Sequence, residues 1–213
     1  RDLVRSRGLG DVYKRQGSDF VVEDSNIRYA LGAVKGVGEA NMRAIVAERE
    51  AHGPYKDISD FIHRTDIKQI NRRQLEQLIK AGAFDCLEKN RGRLFANVET
   101  IMRHIASSSE LKTSEQASLF GNEELHAKVK LADKPDWPEL EKLKLEAEAI
   151  GFYLSAHPLD SYGKGMERLG VKNCSEIFRN IRTGDSIRAK VAGCVNSFQK
   201  RISKTGNKYA FLE

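Results

Sequence analysis

Two glycines one residue apart, Gly36 and Gly38 in the run Leu31-Gly32-Ala33-Val34-Lys35-Gly36-Val37-Gly38-Glu39-Ala40, stand directly before the first clear helical pattern of the chain. From Glu39 the apolar residues Met42, Ile45 and Val46 recur at i, i+3 and i+4, with Arg43, Glu48 and Arg49 on other faces. Glycine accepts positive φ and lets backbone N–H groups approach an anion with no Cβ in the way. The helix that follows adds its unpaired amino-terminal donors and the positive end of its dipole. The run therefore predicts a tight hairpin that grips a phosphate through Lys35, Gly36, Val37 and Gly38. In that reading Lys35 stands beside the anion and Val37 packs back to hold the loop. Contacts of this kind position a duplex and carry no sequence information. An ordinary capped turn is the alternative. A dinucleotide-binding loop fits poorly, because Asn41 stands where the third glycine of G-x-G-x-x-G belongs.

Around the hairpin, Phe20–Val22 and Ile27–Leu31 read as short extended pieces, and Gly53-Pro54 ends the helix that begins at Glu39. Asp57 or Ser59 can cap a short helix carrying Ile58, Phe61 and Ile62, and Asn71 is a good cap for a third with Leu75, Leu78 and Ile79 inward. Gly82 supplies its stop. The unit from Asn71 to Asp85 repeats the helix–turn–helix scale without the paired glycines; its Arg72 and Arg73 either touch a phosphate backbone or form a solvated helix face. One amphipathic helix is expected over Arg93–Ala106, with Leu94, Val98, Ile101, Met102 and Ile105 inward. From Ser107 the period is lost, and a linker or loosely packed segment is expected up to Pro138, which can start a helix over Glu139–Ile150. Ser186–Ser197 alternates like a strand, and Lys204-Thr205-Gly206-Asn207 makes a hairpin turn before Tyr209–Leu212. The chain is expected to stop inside that second strand, since a lone two-stranded ribbon is marginal.

Charge decides less than the net value of +6 suggests. Residues 1–16 carry +3, 17–105 carry +1, 106–160 carry −5 and 161–213 carry +7. The hairpin segment is thus nearly neutral, and the carboxyl-terminal segment is the broadly basic one, as polyanion contact favours. Residues 1–16 (RDLVRSRGLGDVYKRQ) show no period and no cap, and resemble translated sequencing-adapter read-through; they are set aside from the fold. A genuine basic arm is the alternative.

Catalytic and metal chemistry find little purchase. Cys86, Cys174 and Cys194 are too few and too scattered for a disulfide framework or a zinc site, and the five histidines show no ligand spacing. Ser155, His157 and Asp160 have the letters of a hydrolase triad without the G-x-S-x-G elbow. Two-metal nucleotidyl transfer needs clustered carboxylates, and no such motif is present. No catalytic residue, metal ligand or cofactor is therefore assigned to this chain. No apolar run is long enough to span a membrane, and a reducing cytoplasm is the simplest home for so few cysteines.

Leu31–Gly38, Asp60-Phe61, Asn71–Asp85 and, above all, Glu148-Ala149-Ile150-Gly151-Phe152-Tyr153-Leu154-Ser155-Ala156-His157-Pro158-Leu159 resemble, in order, the region after the fingers of the bacterial DNA polymerase III alpha subunit, the C-family replicative polymerase. The likeness runs from near Gly17 to the end. It implies a mainly α fold: tandem helix-hairpin-helix elements over 17–105 that hold duplex DNA, a linker over 106–160, and a connection into a truncated OB-fold over 161–213. The resemblance also implies that the DNA-synthesising aspartates lie upstream, that the parent polymerase uses Mg2+, and that this fragment is inactive alone. Gln116-Ala117-Ser118-Leu119-Phe120 is a short polar peptide ending in two apolar anchors, suited to a partner's pocket. In the family the corresponding pentapeptide binds the sliding clamp; the other reading tucks Leu119 and Phe120 into this chain's own core. Lys200, Arg201, Lys204 and Lys208, with Phe198 and Tyr209 nearby, suit single-stranded template, or form a solvated charged hairpin. Expected partners are duplex and single-stranded DNA, the sliding clamp and other replicase subunits. A stand-alone helix-hairpin-helix repair adaptor and a protein-interaction module remain the rival classes.

Overall fold

The computed structural model describes residues 20–23, 26–113, 128–182 and 186–213; residues 1–16 and the Gln116–Phe120 peptide lie outside them. Contacts divide the chain into two compact units, with the boundary between Ala156 and His157. In the first, strands β1 (Val21–Glu23) and β2 (Asn26–Arg28) pair antiparallel with Val22 opposite Ile27. The chain then tightens into a 3-10 turn over Leu31–Ala33, which takes in Leu31, the last residue of the piece expected to be extended. Six helices follow: α1 (Glu39–His52), α2 (Ile58–Arg64), α3 (Arg72–Lys80), α4 (Arg91–Ala96), α5 (Val98–Thr113) and α6 (Glu139–Ile150).

Their ends obey local chemistry. Asp57 accepts from the Asp60 N–H to start α2, and Asn71 forms a reciprocal capping box with Gln74 to start α3. Gly53, Gly82 and Gly151 take positive φ just beyond α1, α3 and α6. Met42, Ile45, Phe61, Ile62, Leu75, Ile79, Leu94 and Ile101 fill one core. Within it the Phe61 ring meets those of Tyr55 and Phe84 edge-to-face at 5.3 and 5.0 Å. The Tyr55 hydroxyl donates to the Ile45 carbonyl, and burial pushes its pKa up to about 12.

The helix expected over Arg93–Ala106 is broken into α4 and α5 at Asn97. The Asn97 amide nitrogen donates to the Arg93 and Ala132 carbonyls, and its oxygen accepts from the Ala132 N–H. The same residue thus ends one helix and ties down the extended stretch 128–137. That stretch was expected to be a loose linker, yet Val129, Leu131 and Trp137 pack on the core. Gly92 makes the close approach possible, since a Cβ there would lie 2.7 Å from the Pro135 carbonyl oxygen. The loss of period at Ser107 is also not a helix end. α5 continues to Thr113, with Ser109 accepting from the Ile67 N–H and donating to the Ile105 carbonyl.

A buried ion cluster joins α3, α4 and α6. The Arg91 guanidinium makes two bonds to Asp85 at 2.8 and 2.6 Å, one to Glu146 at 3.3 Å and one to the Lys80 carbonyl. Glu146 is 0% exposed, and it also accepts from the Leu154 and Ser155 N–H groups and the Ser155 hydroxyl. Burial opposes the charge on Arg91, but the bonds and charges of Asp85 and Glu146 outweigh it and raise its pKa. Ser155 is therefore bound to a structural carboxylate, which accounts for one letter of the Gly-Phe-Tyr-Leu-Ser string.

The second unit holds a 3-10 turn (Asp160–Tyr162), α7 (Gly163–Arg168), α8 (Cys174–Asn180) and strands β3 (Phe198–Ile202) and β4 (Lys208–Leu212). His157 donates its N–H to Asp160, and its ring accepts from the Leu159 N–H, which shapes the turn. β3 and β4 pair antiparallel through the expected turn, where Gly206 has φ +83. Ser186–Ser197, expected to be a strand, forms none: among the described residues its backbone tie outside the hairpin's end is the Lys190 carbonyl, which accepts from Lys172. The fold is mainly helical with a small two-stranded antiparallel sheet at the carboxyl end.

Candidate nucleic-acid interface

The hairpin between the 3-10 turn and α1 is built as a backbone cradle. Gly36 has φ +75, whereas Gly38 is extended (φ −74, ψ 132) and serves as the N-cap of α1. No side chain caps that helix, so its first N–H groups are left for solvent or a ligand. Val37 is buried between the two exposed glycines, and its N–H donates to the Val34 carbonyl. The nearest acid, Glu39, is held by Arg43 one turn on.

Lys35 has a structural duty that its letter does not reveal. Its N–H donates to the Ala149 carbonyl at 2.9 Å, and its ammonium lies 3.4 Å from where a Cβ on Gly151 would sit. A cation at the carboxyl end of α6 is favourably placed against the helix dipole. The hairpin is thereby pinned to α6, one turn beyond buried Glu146.

The fold brings the second unit of the motif onto the first. Arg73 Nε lies 3.6 Å from the Cβ position of Gly36, and Gln74 Nε2 lies 3.4 Å from that of Gly38. Asn41 on α1 donates to Gln74 Oε1 at 3.3 Å, tying the two helix starts together. Arg73 is exposed and makes no ion pair among the described residues. Arg72, its neighbour, is held by Glu76 at 2.9 Å and Glu99 at 2.7 Å, whose charges and bonds raise its pKa. The two arginines are therefore unequal: Arg73 faces the glycines and Arg72 faces acids. Asn41 and Gln74 were missed from the sequence, because their meeting depends on how α1 and α3 pack.

On the carboxyl-terminal hairpin the residues alternate between two faces. Gln199, Arg201, Tyr209 and Phe211 share one, and Phe198, Lys200, Ile202, Lys208, Ala210 and Leu212 the other. Arg201 lies over the Phe211 ring at 5.5 Å and Lys200 over Phe198 at 5.4 Å. Lys204 sits in the turn, and every residue of both strands is exposed. Among the described residues no three of His, Cys, Asp and Glu group as metal ligands would. No described helix is long and apolar enough to cross a membrane.

An uncapped helix start behind a two-glycine hairpin, repeated in scale by a second capped helix, is the geometry of a helix-hairpin-helix motif. The family model described as "Helix-hairpin-helix motif" matches residues 11–94. Over about nine-tenths of its length the chain is homologous to the DNA polymerase III alpha subunits. It is 34% identical to DNA polymerase III subunit alpha of Caulobacter vibrioides over 93% of this chain and 17% of that protein. To the subunit of Chlamydia pneumoniae it is 38% identical over 91% of this chain and 16% of the relative. For Neisseria meningitidis serogroup A the identity is 38%, over 89% and 16%. The chain thus spans about a sixth of the length of these curated relatives.

Proposed function

We propose that this chain is the DNA-holding portion of a bacterial replicative DNA polymerase alpha subunit, working in the cytoplasm. Supporting this reading, Gly36–Gly38 stands at an uncapped helix start with Arg73 against it, in a chain homologous to DNA polymerase III alpha subunits. The duplex would lie with one phosphate on the Gly36-Val37-Gly38 amides and Arg73 beside it, and with Arg72 engaging only if it leaves Glu76 and Glu99. Sequence would not be read there, as suits a polymerase that must hold any product. Residues 17–105 would form the duplex-binding domain and 106–160 the clamp-docking connection. Residues 161–213 would open an OB-fold, with Arg201, Tyr209 and Phe211 offering a cation and two rings to single-stranded template. The parent would carry out Mg2+-dependent nucleotidyl transfer with carboxylates outside this chain. Duplex binding by the full chain that weakens steeply with salt tests this function.

Gln116–Phe120 would bind the sliding clamp, by analogy with the peptide at this place in the family. The structure describes chain on both sides of it: α5 runs to Thr113, and the stretch from Lys128 is tied to the core, with Val129 donating to Ser59. Leu119→Ala with Phe120→Ala is expected to abolish binding to purified clamp in surface plasmon resonance, with duplex binding unchanged. Undiminished clamp affinity of the double variant would remove this part of the reading.

A further inference from the structure

Gln74 is 6% exposed, yet its side-chain NH2 makes no hydrogen bond among the described residues. Its amide orientation is fixed by chemistry: Oε1 accepts from the backbone N–H of Asn71 at 3.0 Å, a group that can only donate. Nε2 must therefore point the other way. It lies 3.4 Å from the Cβ position of Gly38, at the mouth of the hairpin, and has no hydrogen-bond partner among the described residues. Asn41 Nδ2 donates to the same Oε1, which braces the amide from α1. An ideal Cβ on Gly38 would sit in ordinary contact with this nitrogen, so the N-cap position and the Gln74 amide face the same opening.

We propose that Gln74 is a phosphate ligand, its Nε2 donating to the anion held by the amino-terminal amides of α1, so that both halves of the motif close on one phosphate. This rests on reading the hairpin as a phosphate grip, and it adds a residue on the opposite helix. The amide then has two separate tasks: Oε1 caps α3 and Nε2 holds the ligand. One substitution separates them. Gln74→Glu keeps an acceptor for the Asn71 N–H, since Glu is an ordinary capping-box residue at that position. It replaces the outward donor with a second carboxylate oxygen.

The full chain carrying Gln74→Glu is expected to keep the wild-type urea midpoint while its Kd for a fluorescein-labelled duplex rises about tenfold or more, through a repelled phosphate. In a parallel 1H–15N spectrum of the wild-type chain, the Gln74 side-chain NH2 signals shift on titration with the same duplex. Wild-type affinity in a folded Gln74→Glu chain overturns the proposal, as does a Gln74 signal unmoved at saturating duplex. If Gln74→Glu fails to fold, the spectrum alone decides. Failure of the underlying reading is separate: then the wild-type chain itself does not bind, whereas loss of binding in Gly38→Asp with normal binding in Gln74→Glu removes Gln74 only.

Discussion

Replacing Arg91 with alanine is expected to lower the unfolding free energy by about 3–5 kcal/mol, the usual result of removing one partner of a buried ion pair. Glu146 would keep its bonds from Leu154 and Ser155 but lose its cation while fully buried. Asp85 would lose both of its arginine bonds, and the Lys80 carbonyl one. Three helices are joined at this point, so the loss is not local. A small domain with about 5–15 kcal/mol in hand is left marginal. Urea unfolding followed by circular dichroism reads the effect; a loss below about 1 kcal/mol, as for an exposed pair, contradicts the account. Arg91→Met with Glu146→Leu should recover part of it, because no buried charge is then unpaired.

Gly38→Asp is expected to separate stability from function. Gly38 already has the extended backbone of an N-cap, and an ideal Cβ there meets nothing nearer than 3.4 Å. An aspartate can therefore accept from the first-turn N–H groups of α1, worth a few tenths of a kcal/mol over glycine. The new carboxylate would face Gln74 Nε2 and occupy the place of the phosphate. Stability should hold or rise slightly while duplex affinity falls about tenfold or more, from occupied donors and like-charge repulsion. Paired measurements of urea midpoint and anisotropy check both halves. Unchanged affinity in a well-folded variant would mean that DNA does not contact this hairpin.

Much of this architecture was legible because it is written locally. The starts of α2, α3 and α6 follow from Asp57, Asn71 and Pro138, and the end of α6 from Gly151, each within a few residues of the event. The Val37 plug and the uncapped start of α1 were equally readable. What escaped was decided at a distance. Asn97 breaks a continuous apolar stripe because residue 132, 35 positions on, supplies its partners. Lys35 stands at the end of α6 by virtue of a bond to Ala149, and Gln74 meets Gly38 only through helix packing. Ser186–Ser197 shows the converse limit. Its alternation suits a strand, but a strand also needs an edge to pair with, and β3 pairs with β4 instead.

The proposed grip of the Gly36–Gly38 hairpin on duplex phosphate is tested most directly by anisotropy of a labelled duplex with the full wild-type chain across about 50 to 200 mM salt. Log Kd is expected to rise steeply and linearly with log salt, independently of base sequence, and Gly38→Asp should weaken binding at every salt concentration. A salt-insensitive or absent signal, or a slope and affinity that Gly38→Asp leaves untouched, would contradict it.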